Sequence, residues 1–465
     1  MVLWIYSVFM RLAQPFLRHK LLRRSVAEPL YGAHMAERFG QYPQVQQSAE
    51  DLIWVHAVSL GETRTASILI AQLRHLTLTS GKNPQILLTH GTATGRAQGA
   101  KLLQGGDVQV WQPWDTPAAC DAFLERFKPR IGLLMETEVW PNLCAAAQRH
   151  ACPLLLVNAR LSDKSMRSAQ RAAWLLGPAY RAFAQVLAQT PQDAQRLRAL
   201  GANVTAVLGN IKFDAKPNAQ QCAQGALWKK ALHSQGARTV LFASSREGEE
   251  IEFLKEIKAR VTAKRSYDAI DNEATMTETI STEKITTETI HAELINKPQA
   301  LQYLIVPRHP QRFEAVAALC EEAGFHVSRR STWGQEPPHI DAHSGVQTPS
   351  IWLGDSLGEM ALYYAMADVA LLGGSFAPLG GQNLIEAAAC ACPIVMGPHT
   401  FNFALAAELA EQAGAAQRVA DMREAIRSVQ TATNLSPQTS LEFALAHQGA
   451  TAKTVEIVRS LLLKK

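Results

Sequence analysis

Short apolar runs alternate with stretches of helical spacing from residue 51 onward. The runs predict strands near 51–57, 85–89, 131–135, 153–157, 186–189 and 204–208. A second set is predicted near 239–243, 301–306, 325–328, 351–353, 369–372 and 393–396. Strands that alternate with helices in this way imply parallel α/β sheets. Two sets of five or six strands imply two doubly wound domains. The break falls near 213–236, where Pro217, Asn218 and a Gln/Ala-rich stretch interrupt the pattern. The expected division is an N-terminal segment at 1–40, a first doubly wound domain at 41–215 and a linker at 216–236. A second doubly wound domain follows at 237–430, and a helical C-terminal segment at 431–465. Ligands of such folds sit beyond the carboxyl ends of the strands, which places the expected site in a cleft between the domains.

Two regions depart from the alternation. Residues 262–298 hold eight threonines and seven acids, no glycine, and a crude Thr-Glu-Thr-Ile repeat. That composition buries little, so the segment reads as a surface insertion, with a lid as the alternative. The chain opens on Val2-Leu-Trp-Ile-Tyr-Ser-Val-Phe-Met10, then Arg11, then Leu12-Ala-Gln-Pro-Phe-Leu17. A spanning helix needs about 20 apolar residues, and Arg11 interrupts this run. No small-residue cleavage site follows it. An interfacial anchor, with the basic cluster at 18–24 on anionic head groups, is the expectation. A helix packed on the protein itself is the alternative, and spanning or lying on a membrane is left open.

Composition narrows the class. An apolar share of 47% and a charged share of 19% are those of a globular protein. Residues 1–40 carry six Lys/Arg (Arg11, Arg18, Lys20, Arg23, Arg24, Arg38) against Glu28 and Glu37, or +4 of the net +5. The body is therefore near neutral, and nucleic acid is not an expected partner. Seven scattered cysteines without Cys-x-x-Cys fit a reducing compartment.

The chemistry is concentrated after the strands. Gly373-Gly-Ser-Phe-Ala-Pro-Leu-Gly-Gly-Gln-Asn-Leu-Ile-Glu386 reads as a strand end, a glycine-rich loop and a helix start. Glycines let backbone N–H groups approach a ligand, and a helix N-terminus favours anions. Asn383 and Glu386 share one face of the first turn. Together they fit a nucleotide sugar; a tightly packed connection is the bland reading. Further polar loops are Val58-Ser-Leu-Gly-Glu-Thr63, His90–Gly95, Glu136–Asn142, Asn158–Ser162, Gly209–Asp214, Ala243–Glu249, Val306–Pro310 and Gly354–Glu359. Any one of them can be a helix cap, Glu62 included. Their number exceeds what capping requires. No His-Glu-x-x-His, phosphate-binding Gly-x4-Gly-Lys, Gly-x-Ser-x-Gly elbow or dinucleotide fingerprint is present. Glu136 and Glu138 can in principle hold a metal, but no acidic pair with clear metal spacing accompanies the glycine loop.

In order along the chain these loops resemble the 3-deoxy-D-manno-octulosonic acid (Kdo) transferases. The similar pieces are His56-Ala-Val-Ser-Leu-Gly-Glu62, Glu136-Thr-Glu-Val-Trp-Pro-Asn142, Asn158-Ala-Arg-Leu-Ser162, Gly209-Asn-Ile-Lys-Phe-Asp214 and Val306-Pro-Arg-His-Pro310. Asp355-Ser-Leu-Gly-Glu359, Gly373-Gly-Ser375, Gly380-Gly-Gln-Asn383 and Gly397-Pro-His-Thr-Phe-Asn402 complete them, over roughly 30–420. The resemblance implies a GT-B fold, with acceptor binding in the first domain and CMP-Kdo in the second. It implies inverting transfer of Kdo to the 6′-hydroxyl of lipid IV(A), a tetraacylated lipid A precursor, with no cofactor and no obligatory metal. It also implies a place on the cytoplasmic side of the inner membrane. Glu62 matches the family's proton acceptor, and Glu136 and Lys212 match its supporting charged positions. Arg308, His309, Leu357, Gly358, Glu359, Asn383, Leu384, Ile385 and Glu386 match its CMP contacts. Gln382 stands where the family usually has His, Leu357 where it has Met, and Arg246 where it often has His. A non-catalytic nucleotide-binding protein and a related GT-B epimerase are the competing readings; the oligomeric state is open.

Overall fold

The computed structural model describes residues 1–42, 52–77, 81, 83–261, 300–334, 336–337, 350–431 and 435–463. The insertion expected at 262–298 lies outside the described residues, as does the first residue of the strand expected at 51–57. The chain forms two compact units, Met1–Ala215 with His447–Lys465, and Lys216–Ala446.

Seven parallel strands make the sheet of the first unit: β1 (Leu52–His56), β2 (Gln85–His90), β3 (Val108–Trp111), β4 (Ile131–Met135), β5 (Leu154–Ala159), β6 (Gln185–Ala188) and β7 (Val204–Val207). Successive strand residues face opposite sides of a sheet. Leu52 and Trp54 enter an apolar cluster with Phe123 and Phe127, while Ile53 and Val55 enter another with Leu69 and Leu73. A run that is apolar at every position needs a covering layer on each face. The connecting helices supply both layers. The helix Ala450–Leu463 joins them, because its Val458 and Leu462 complete the Ile53/Val55 cluster.

The strand order is β3-β2-β1-β4-β5-β6-β7. The chain leaves β1 toward one edge and returns at β4 toward the other. Loops at the carboxyl ends of β1 and β4 therefore diverge, and a crevice opens between them.

The second unit repeats the plan with β8 (Ala237–Ser245), β9 (Ala300–Pro307), β10 (His326–Arg329), β11 (Ser350–Leu353), β12 (Val369–Leu372), β13 (Ile394–Met396) and β14 (Ala416–Arg418). Its order is β10-β11-β9-β8-β12-β13-β14, and here the divergence lies between β8 and β12. Two Rossmann-like doubly wound units are thus present, as expected.

Two strands were not foreseen. β3 and β14 lie at sheet edges, are four and three residues long, and read Val-Gln-Val-Trp and Ala-Gln-Arg. An edge strand needs less apolar character than a central one, so its pattern is weak. Residues 216–236, read as a linker, carry the helix Ala219–Ser234, whose Gly225 packs against Leu362 and Ala365. The expected C-terminal segment divides: Pro437–Ala446 belongs to the second unit and Ala450–Leu463 to the first.

The N-terminal helix Val2–Ala27 runs through Pro15. One face packs on the first unit: Ser7 Oγ donates to Asn142 Oδ1 at 2.7 Å, and Leu21 is buried beside Tyr31 and Ala93. The other face exposes Trp4, Ile5, Phe9, Leu12 and Phe16. Ile5, Phe9, Leu12 and Phe16 fall within roughly 60° of one another at about 100° per residue. Among the described residues no helix is long and apolar enough to cross a membrane. Arg38, counted with the basic arm, is instead 3% exposed, over the Trp111 ring at 4.0 Å.

Candidate active site

Glu62 stands in the first turn of the helix Leu60–Leu73, directly after β1. Ser59 caps that helix: its Oγ accepts the Glu62 N–H at 3.3 Å. Glu62 reciprocates, with Oε2 accepting the Val58 N–H at 2.9 Å and Oε1 accepting Ser59 Oγ at 3.1 Å. This is a capping arrangement, so the bland reading of Glu62 describes its resting contacts. The electrostatics add something a surface cap lacks. Burial pushes the Glu62 carboxyl above its ordinary range; the Val58 N–H pulls back, and the charges of Glu136 and Glu138 push up again. A carboxylate held this way is a better base than one in water.

Glu136 follows β4 across the crevice. Its backbone is left-handed (φ +57), as is that of Asn158 at the end of β5 (φ +54). Such conformations cost about 1 kcal/mol or more and persist only where the surroundings hold them. Here the surroundings are ionic: Glu136 Oε2 is 3.0 Å from Arg160 Nε, and Oε1 is 3.4 Å from Lys212 Nζ. Glu136 is 6% exposed, and two cations offset the burial of its charge. Lys212 sits in the turn Ile211–Asp214, which Asn158 fixes by accepting the Ile211 N–H at 3.0 Å. The same turn is tied to the C-terminal helix, because Asp214 accepts the Thr451 N–H at 2.6 Å. The fold thus brings Glu62, Glu136 and Lys212 into one cluster from three distant stretches of sequence.

Three members of this cluster were given no part in transfer from sequence, although Glu138 was weighed there as a metal ligand. Arg160 completes the clamp on Glu136. Glu138 takes the Trp140 Nε1–H at 2.7 Å. His56, at the end of β1, has its Nε2 3.8 Å from Glu138 Oε2. All lie within the polar loops or beside them, but only strand pairing shows which ones meet.

The second unit gathers positive charge after β8 and β9. Arg308 donates through Nε to Gln382 Oε1 at 3.1 Å, and its backbone N–H binds Ser245 O at 3.1 Å. His309 is held below its ordinary range by partial burial and by the neighbouring charges of Arg246 and Arg308. An imidazole that resists protonation still offers one N–H. A guanidinium fork beside it suits a phosphate. Gln382 keeps a hydrogen bond at the position where the resemblance leads one to expect His.

The glycine-rich loop differs from expectation. Its N–H groups were read as free for a ligand. Instead the Glu249 carboxylate takes them: Oε2 accepts Gly374 N at 2.8 Å, and Oε1 accepts Phe376 N and Ala377 N, each at 3.1 Å. Arg246 N adds a fourth bond at 3.0 Å. The loop is an anion nest, and the protein's own carboxylate fills it. Glu249 opens the helix after β8, on the other side of the divergence from β12, so its carboxylate ties the two sides together.

The remaining predicted residues divide by exposure. Leu384 and Ile385 bury their side chains completely, so only their backbone can face a ligand. Asn383 caps the helix Leu384–Ala389 by accepting Ile385 N at 3.3 Å, and Glu386 stands half-buried in its first turn. Leu357 is 75% exposed, Gly358 takes φ +80, and Glu359 Oε1 accepts Arg330 Nη2 at 2.8 Å.

Comparison with known proteins decides the family. A family model described as 3-deoxy-D-manno-octulosonic-acid transferase (kdotransferase) matches residues 33–215. A 3-deoxy-D-manno-octulosonic acid transferase of Bordetella pertussis is 42% identical over 422 residues, covering 88% of this chain and 87% of its own. The chain belongs to the Kdo transferase family. The transferase of Haemophilus influenzae is 30% identical, covering 86% of this chain and 83% of its own. Among solved structures, a glycosyltransferase from Rickettsia africae has a TM-score of 0.52 at 11% identity, covering 90% of this chain and 100% of that one. That likeness is one of fold. Membership of the Kdo transferase family makes the chain a glycosyltransferase, and Glu62, Glu136 and Lys212 all lie inside the stretch that the family model matches.

Proposed function

We propose that the chain transfers Kdo from CMP-Kdo to the 6′-hydroxyl of lipid IV(A), with inversion at the donor carbon, in lipopolysaccharide assembly. The observation that carries this reading is the Glu62–Glu136 pair at the β1/β4 divergence: one carboxyl made more basic by burial, the other paired with Arg160 and Lys212.

Glycosyl transfer passes through an oxocarbenium-like state, and the acceptor hydroxyl loses its proton as it attacks. Glu62 takes that proton, exchanging its cap contacts for the hydroxyl. The anionic Glu136 orients the acceptor and keeps the proton affinity of Glu62 high. The departing CMP gains negative charge, which Arg308 and His309 receive. The filled nest moves phosphate recognition away from the backbone of Gly374 and onto these side chains. Glu386 accepts ribose hydroxyls. The reaction written this way needs no metal and no cofactor.

The acceptor is a membrane lipid and the donor a soluble nucleotide sugar. The exposed apolar stripe of Val2–Ala27, followed by exposed Arg18, Lys20 and Arg23, suits an interfacial helix. We place the enzyme on the cytoplasmic side of the inner membrane, lying on that surface by this helix.

Purified protein incubated with CMP-Kdo and lipid IV(A) should release CMP while the lipid gains the mass of one or more Kdo units. CMP release without lipid mass gain, or no turnover, would refute the proposal.

A further inference from the structure

His56 is fully buried at the end of β1, and the parallel register sets it beside Thr89 of β2. Its Nδ1 is 2.9 Å from Thr89 Oγ1 and 3.2 Å from Thr89 O. Its Nε2 is buried with no hydrogen-bond partner, 3.8 Å from Glu138 Oε2.

Trp54, two residues back on the same face of β1, shares the Thr89 hydroxyl with His56. An indole N–H can only donate, and Trp54 Nε1 donates to Thr89 Oγ1 at 2.8 Å. That bond leaves the Thr89 hydroxyl proton free to point at His56 Nδ1, while Thr89 O, an acceptor 3.2 Å from the same nitrogen, favours the opposite tautomer. The Glu138 carboxylate beside Nε2 decides between them: the imidazole proton resides on Nε2 and faces it. The opposite tautomer would set a lone pair against an anion in a buried place, which is unfavourable.

We infer that His56 is a positioning residue for the transfer: its Nε2–H, with Thr89 on the other ring nitrogen, faces the Glu138 carboxylate and holds it in place beside the Glu62 base. The groups acting on Glu62 are Glu136 with its partners Arg160 and Lys212, Glu138, and His56. His90, the titratable neighbour of His56, is pulled down to about 3 by burial and stays neutral at working pH. The Glu138–His56 couple is thus the adjustable part of the base's surroundings, while Glu136 is clamped.

This inference rests on the transferase reading, so the test has one arm free of turnover. Nitrogen-15 NMR of the full chain with labelled histidines reports the His56 tautomer, assigned by its loss in His56→Gln. The Nε2–H form is expected; the Nδ1–H form overturns the inference whether or not Kdo is transferred. The second arm is the pH profile of kcat/KM with CMP-Kdo and lipid IV(A). Glu138→Gln removes a negative charge beside Glu62, so the acidic limb should move to lower pH. His56→Gln keeps an N–H at the end of its side chain and should retain the wild-type limb. His56→Leu should lower kcat roughly tenfold, through loss of the buried polar contact to the carboxylate, with donor KM unchanged and no further loss on adding Glu138→Gln. An unmoved limb in Glu138→Gln, or additive losses in the double variant, contradicts the inference. Should His56→Leu fail to fold, Glu138→Gln and the NMR decide. A wild-type protein that makes no lipid product sinks the transferase reading instead.

Discussion

Glu249 Oε2 accepts the N–H of Gly374 at 2.8 Å, which makes a glutamate the occupant of the glycine-rich loop. The carboxylate holds four backbone N–H groups, and burial pushes its proton affinity up while those bonds pull it back. Gln in its place has one acceptor oxygen and an amide that clashes with donors. Glu249→Gln should cost about 2 kcal/mol or more in unfolding free energy. CMP affinity should fall with it, because Gly374 packs near Gln382 and Arg246. Denaturant unfolding and CMP titration check both; an unchanged loop would show as wild-type values in each.

Arg308 is expected to carry the donor phosphate. Arg308→Ala should weaken CMP binding about tenfold to a hundredfold, the range for a bond to a charged group. Arg308→Lys keeps the charge and loses the fork, so it should fall between. Calorimetric titration with CMP measures the series. Equal affinities across the three proteins would remove Arg308 from the donor site.

Much of this was legible in the chain. The central strands announced themselves because burial on both faces demands apolar residues at successive positions. β3 and β14 did not, since each pairs along one edge only. Glu62, Glu136 and Lys212 were visible as polar residues after strands, and the fold does bring them together. Arg160 and His56 were within the quoted loops, but their partners come from strand pairing: His56 meets Thr89 only through the β1–β2 register. The occupant of the glycine loop was hidden for the same reason. Glu249 lies 125 residues before Gly374, and no local pattern joins them. Leu384 and Ile385 are the reverse case: their side chains serve the core, which leaves the backbone as the part of the motif that can meet a ligand.

Glu62 also makes a prediction about stability. Its proton affinity is raised in the folded state, chiefly by burial. The folded protein therefore binds this proton more tightly than the unfolded chain, and stability falls as pH rises from the ordinary carboxyl value through the raised one. Glu62→Gln removes that loss. The variant should gain stability over wild type at pH 7.5, and the gain should vanish as pH drops below about 4. Thermal unfolding across pH tests the sign; a gain that is constant with pH would contradict it.

The exposed stripe on Val2–Ala27 predicts lipid binding. Replacing Phe9, Leu12 and Phe16 by Ser should abolish co-sedimentation with anionic vesicles while leaving CMP affinity intact. Added salt should weaken the wild-type interaction through Arg18, Lys20 and Arg23. Vesicle binding that survives the triple replacement would remove the helix from that role.

The central claim is that Glu62 takes the acceptor's proton. Its direct test is the mass of lipid IV(A) after incubation with CMP-Kdo and the Glu62→Gln protein, beside CMP affinity of the same sample. The account predicts no Kdo on the lipid, a rate loss of about a hundredfold or more, and CMP binding equal to wild type. Near-wild-type addition of Kdo by Glu62→Gln would contradict it.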